Sequence, residues 1–92
     1  MTHFLVHDSR DTVGVAVADL HAAQTVRGLA LDNRATLELT ALQDIPFGHK
    51  IALRDCEVGD TVTKYGEDIG KVVAPIKKGE HVHIHNLKTK RW

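Results

Sequence analysis

Apolar residues along this chain come in short runs, not in long helical stripes. Phe4-Leu5-Val6 predicts a first short strand, and His7-Asp8-Ser9-Arg10-Asp11 a polar turn. Val13 to Ala18 alternates valine with small residues, which suits a strand whose second face lies close to another backbone. Asp19 to Gln24 fits one helical turn or a β-turn. Thr25 to Leu29 predicts a weak strand, and Leu31 to Arg34 a turn. Ala35-Thr36-Leu37-Glu38-Leu39-Thr40 alternates cleanly and predicts a half-buried strand. Pro46 and Gly48 bracket a turn ahead of His49 to Leu53. Gly59, Gly66, Gly70 and Gly79 punctuate the second half. No helix of about 12 residues or more fits between these breakers. The expectation is an all-β chain of many short strands, with at most one short helix.

One local frame recurs. Leu20-x-x-Ala23-x-x-Val26, Ile45-x-x-Gly48-x-x-Ile51, Cys56-x-x-Gly59-x-x-Val62 and Ile76-x-x-Gly79-x-x-Val82 each place a small residue between an apolar anchor and an aliphatic residue. The anchor docks in a core, glycine permits positive φ, and the chain reverses into a strand. The copies are separated by 25, 11 and 20 residues. A solenoid needs a fixed period, so this is a reused corner rather than a repeat array.

The last quarter carries the most unusual pattern. In Lys78 to Leu87, His81, His83 and His85 alternate with Val82 and Ile84. On a strand the three imidazoles share one face and the two aliphatics the other. Histidines two apart stand about 6.6 Å apart along a strand and can lean to one ion. His81 and His85, about 13 Å apart at the same rise, cannot easily do so. The strand thus offers at most two metal ligands, His81 with His83 or His83 with His85. Further ligands must come from elsewhere. Taken alone, such a strand is more often a half-exposed face without a role.

Composition narrows the function classes. Ninety-two residues make a single domain, 1–92, with a thin core and few aromatics. A deep pocket walled by this chain alone is not expected, so a site shared with a partner is easier to build. Formal charge is zero with histidines neutral, which argues against nucleic-acid binding. Lys88-Thr89-Lys90-Arg91 is the basic exception and predicts a short solvated terminus. Cys56 is the one cysteine; it occupies an anchor slot and reads as core. No apolar run is long enough for a membrane helix, and Met1 to Asp8 does not read as a signal peptide. The expectation is a cytoplasmic protein.

Three stretches together resemble a known family. They are Ile45 to Leu53, Lys64-Tyr65-Gly66-Glu67-Asp68-Ile69-Gly70, and Ile76 to Leu87. With the opening Val6-His7-Asp8-x-x-Asp11-x-Val13-Gly14-Val15-Ala16, they resemble the small SAF-type domain of the altronate and galactarate dehydratases. The resemblance covers nearly the whole chain and implies a β-clip fold. The ending Asn86 to Trp92 is similar to a branch in which the small domain is a separate chain of a two-component lyase acting on sulfolactate. What this implies is an elimination beside a carboxylate. Either sulfolactate is split to pyruvate and sulfite, or a sugar acid is dehydrated. It also implies a large catalytic partner subunit, a hydroxy-acid substrate, and a divalent metal, with iron (Fe2+) the usual candidate.

Such an elimination needs a base, an acid or metal, and groups that hold a carboxylate. Clustering and resemblance together make His83, His85 and Asn86 the first-choice site residues, with His83 and His85 as catalytic groups and metal ligands. Asn86 shares that site only if the strand ends or bulges there. His49 and Lys50 are the second choice, for a substrate anion, because the other corners carry no such pair. Strand alternation sends them to opposite faces. Asp11 reads as a cap for its own loop, Tyr65 as packed, and Lys64 as a weak substrate-side candidate. The rival readings are a stand-alone SAF binding module and a metal-carrying or structural β domain.

Overall fold

A computed structural model describes residues 1–64, 66–83 and 85–89. Among these residues every regular element is a strand. In chain order they are β1 (Phe4–Val6), β2 (Val13–Ala16), β3 (Thr25–Ala30), β4 (Thr36–Thr40), β5 (Lys50–Ala52), β6 (Thr61–Lys64), β7 (Glu67–Val72), β8 (His81–Val82) and β9 (Leu87–Thr89). They form a six-stranded sheet in the order β4-β3-β1-β2-β5-β8 and a three-stranded sheet in the order β6-β7-β9. The β1–β3 pair is parallel and the other pairs are antiparallel. This all-β arrangement of short strands agrees with a β-clip. No helix is long and apolar enough to cross a membrane among the described residues.

Each half has its own core. Phe4, Val6, Leu20, Val26, Ile45 and Ile51 belong to the first, while Val13, Cys56, Val62, Val72, Ile76 and Val82 belong to the second. The ring of Phe4, fully buried, lies across Gly14 and Gly28, where an added Cβ would collide with it. That is the close approach expected for the valine-and-small-residue strand. Buried Thr12 ties the two sheets together: its N–H donates to the Thr63 carbonyl at 3.0 Å, and its Oγ1 accepts from the Thr63 N–H at 3.0 Å.

The recurring corner is real in three dimensions. Its anchors Leu20, Ile45, Cys56 and Ile76 are all buried, and the third residue after each has positive φ: 70° at Ala23, 84° at Gly48, 94° at Gly59 and 91° at Gly79. The corners pair off through antiparallel bridges, Leu20 with Ile45 and Cys56 with Ile76. Aspartates preceding the anchors brace the opposite turn. Asp19 accepts from the Phe47 N–H, Asp44 from the Ala22 N–H and Asp55 from the Lys78 N–H, at 2.9, 2.9 and 2.8 Å.

Several expectations need correction. Of the two readings of Asp19 to Gln24, the β-turn holds and the helical turn does not. The strand opening at Val13 stops at Ala16, and the weak strand after Thr25 is a full six-residue element. The histidine strand ends at Val82. The basic tail is not wholly a solvated terminus, since Leu87–Thr89 forms β9 and pairs with β7. Tyr65, Ile84 and 90–92 lie outside the described residues.

Candidate functional site

Strand register brings the histidines together. β5 and β8 pair with Lys50 opposite Val82 and Ile51 opposite His81. Opposed residues of an antiparallel pair share a face. One step further along the same register sets His49 opposite His83. His49, His81 and His83 therefore fall on one face, and Lys50 falls on the other with Val82. The His49 ring centroid lies 5.0 Å from that of His81 and 4.6 Å from that of His83. The His81 and His83 rings are 5.6 Å apart and within 9° of parallel. His49 Nδ1 and His81 Nε2 are 2.8 Å apart, a hydrogen bond in which one nitrogen donates and the other accepts. One ring nitrogen from each of the three lies within 4.8 Å of the others.

The surroundings disfavour the charged form of two of these rings, His81 and His83. Burial lowers the pKa of His81 below its ordinary 6.5, and His49, His85, His83 and Lys50 add to the effect. His83 is lowered for the same first reason, then by His49, Lys50 and His85. Lys50 is lowered by burial and then by the nearby ammonium of Lys64. Unprotonated imidazoles offer lone pairs, and three converging nitrogens suit a borderline divalent ion such as zinc or iron. A metal therefore fits the donors present, and His49, His81 and His83 are the residues that would hold it.

Beyond Val82 the chain turns, and Asn86 makes it turn. Its Oδ1 accepts from the His83 N–H at 2.9 Å and its Nδ2 donates to the His81 carbonyl at 2.8 Å. The Asn86 and Leu87 N–H groups both reach back to the His83 carbonyl, at 3.1 and 2.9 Å. The Asn86 side chain is thus buried, at 3% exposure, in the scaffold of the loop. The same turn overturns the extended-strand separation of His81 and His85, whose ring centroids are 5.4 Å apart.

The structure thus distributes the sequence candidates unevenly. His49 and His83 meet, joined by His81. His85 sits beside His81 but outside the converging trio. Lys50 is on the opposite face, as alternation requires, and Asn86 holds the loop. The third imidazole of the cluster, His49, comes from outside the histidine strand but from this same chain. The sequence alone ranks His81 behind His83 and His85. Only the β5–β8 register singles it out, and that register joins positions some 30 residues apart. Asp11, by contrast, caps as its sequence suggests: its Oδ1 accepts from the Gly66 N–H at 2.8 Å and its Oδ2 from the Asp8 N–H at 3.3 Å.

Comparison with known proteins supplies the family. The model of the altronate/galactarate dehydratase SAF domain matches residues 2–90. The chain belongs to that family. As an SAF domain it is 50% identical over 90 residues to the (2R)-sulfolactate sulfo-lyase subunit alpha of Chromohalobacter salexigens, covering 97% of this chain and 96% of the relative. It is 57% identical over 60 residues to the subunit of the same name from Paracoccus pantotrophus, covering 65% of this chain and 90% of that one. Altronate dehydratase of Escherichia coli is 42% identical over 89 residues, or 97% of this chain, yet the match spans only 17% of that enzyme. This SAF domain therefore corresponds end to end to a separate subunit and to a small part of larger dehydratases.

Proposed function

We propose that this chain is the small subunit of a two-component lyase that cleaves (2R)-sulfolactate to pyruvate and sulfite. The observation that carries the reading is the end-to-end match to a protein named subunit alpha of such an enzyme. In this reaction a base removes the proton from C2, beside the carboxylate. The C3–S bond breaks, its electron pair leaves with sulfite, and the resulting enol becomes pyruvate. A dehydratase runs the same elimination with a hydroxyl as leaving group, and the match to altronate dehydratase supports that as the second reading.

His49, His81 and His83 hold the divalent ion, of which iron is the family candidate. Such an ion supplies Lewis-acid polarisation of substrate oxygens. His85, beside His81 and outside the trio, is the proton-transfer group. Lys50, whose ammonium is disfavoured by burial and by Lys64, gains from a substrate anion brought near it. Asn86 sets the loop that presents His83 and His85. A large partner chain in the cytoplasm completes the site. In favour of a partner, the trio includes no carboxylate, and Phe47, two residues from His49, is 67% exposed. The test is an assay of this chain alone and co-produced with the large subunit, on sulfolactate, altronate and galactarate. Pyruvate and sulfite should form from sulfolactate, with the pair only. Turnover by this chain alone would defeat the two-component reading, and turnover confined to the sugar acids would move the assignment to a dehydratase.

A further inference from the structure

The four corners close in two different ways. In each, the N–H of the fourth residue after the anchor donates to the carbonyl of the first, so residue one is position i of a β-turn and the positive-φ residue is position i+2. In three corners the side chain of the fourth residue also folds back and accepts the N–H of the first. Gln24 Oε1 accepts from His21 at 2.9 Å, Asp60 Oδ2 from Glu57 at 2.8 Å and Glu80 Oε1 from Lys77 at 2.6 Å. The corner at Ile45 differs. Its first residue is Pro46, which has no N–H, and its fourth is His49.

A histidine ring nitrogen can accept a backbone N–H. His3 Nδ1 accepts the Arg27 N–H at 2.9 Å elsewhere in the chain. His49 instead uses its Nδ1 for His81, at 2.8 Å. The turn does not itself call for proline at that place, because proline is favoured at position i+1, which here is Phe47. We infer that Pro46 is a positioning residue for the imidazole trio: by withholding the N–H that would draw His49 back onto its own corner, it leaves His49 Nδ1 for His81. The link to metal rests on the function proposed above; the link to the His49–His81 hydrogen bond does not.

The test compares three variants of the metal-free chain and of the chain titrated with Co2+. Pro46→Ala restores the N–H, and the other three corners show that this turn folds with one. Pro46→Lys copies the Lys77 corner and serves as the second restoration. The third places N-methylalanine at position 46, by ligating synthetic segments at Cys56; it lacks both the N–H and the proline ring. With 15N-labelled histidine, the wild type should show scalar coupling between His49 Nδ1 and His81 Nε2 across their hydrogen bond. Both N–H-bearing variants should lose it and bind Co2+ about three- to tenfold more weakly, the worth of one competing hydrogen bond. N-methylalanine should restore both. Coupling and affinity unchanged in the Ala and Lys variants would overturn the inference. So would failure of N-methylalanine to restore them, which would assign the effect to the ring. A wild type that binds no Co2+ defeats the metal reading, and the coupling then judges Pro46 by itself.

Discussion

The corners Ile45–Ile51 and Ile76–Val82 share a backbone and differ in company. Both run from a buried isoleucine through a glycine, with φ of 84° and 91°, into a buried aliphatic residue that meets its counterpart's strand. Gly79 is walled in. Its N–H donates to the Ala52 carbonyl at 2.9 Å, its carbonyl accepts from Leu42 at 2.9 Å, and the Thr40 carbonyl oxygen occupies the place a Cβ would need. Among the described residues, nothing lies within 4 Å of that place at Gly48. Glu80 is folded onto its own turn, while His49 reaches across to His81. One solution to chain reversal thus serves two purposes. Where neighbours crowd the corner it fixes the packing of the two halves. Where the corner faces open space its polar residue is available for chemistry.

The largest effect should come from the glycines. At Gly79, alanine meets both the strain of positive φ, about 1–2 kcal/mol, and a backbone oxygen that cannot swing away, about 1–3 kcal/mol of overpacking. Urea unfolding of Gly79→Ala should show a loss of about 3 kcal/mol or more. Gly48→Ala faces the strain alone and should lose about 1–2 kcal/mol. Equal losses in the two variants would break the contrast between a packed corner and an open one.

A smaller effect separates the two polar residues. Glu80→Ala removes one hydrogen bond that closes a turn, and should cost roughly 1 kcal/mol in the same unfolding measurement. His49→Ala gives up one hydrogen bond between two partly exposed rings, which water can replace, and should cost less than about 0.5 kcal/mol. Co2+ titration should reverse the order, with affinity falling well over about tenfold for His49→Ala and staying near wild type for Glu80→Ala. If His49→Ala unfolds the chain as readily as Glu80→Ala and leaves Co2+ binding intact, His49 is a scaffold residue and the site lies elsewhere.

These contrasts also explain what could be read from the sequence and what could not. The corners were legible because each is local: anchor, small residue and aliphatic residue sit within seven positions. Strand existence was legible for the same reason, as at Phe4-Leu5-Val6 and Thr36 to Thr40. Strand ends were less so. The alternation from His81 to His85 predicts one strand, but the Asn86 side chain binds His83 N–H and the His81 carbonyl and bends the chain after Val82. A side chain that competes with strand pairing from three residues downstream leaves no mark on period-two alternation. The meeting of His49 with His81 was hidden more deeply. It follows from the pairing of Ile51 with His81, and a shift of one residue in that register would send His81 to the opposite face. Pro46 was visible as a turn signal, and its missing N–H acquires meaning only beside three corners that use theirs.

The smallest effect concerns a reversal built with charge instead of a corner glycine. At Asp8–Asp11 the Asp11 N–H donates to the Asp8 carbonyl at 2.8 Å, and Asp8 is held by Arg10 through a side-chain pair at 2.7 Å and a backbone N–H at 2.8 Å. The Arg10 guanidinium, first through its hydrogen bond, holds the Asp8 pKa at about 2 against an ordinary 3.8. The folded state therefore binds that proton less readily than the unfolded chain. The pair's contribution is fully present above about pH 3.8 and is lost as pH falls through about 2. Because the pair is at the surface, added salt should weaken it. In Arg10→Ala the Asp8 carboxyl, followed by its 13C shift, should titrate closer to 3.8, and raising the salt should move the wild-type midpoint the same way. The Gly48 and Gly79 corners, closed by backbone bonds and packing, should keep their protected amides across the same pH range. A midpoint that stays near 2 without Arg10 would mean that backbone donors alone hold Asp8, and that this turn too is closed by geometry instead of charge.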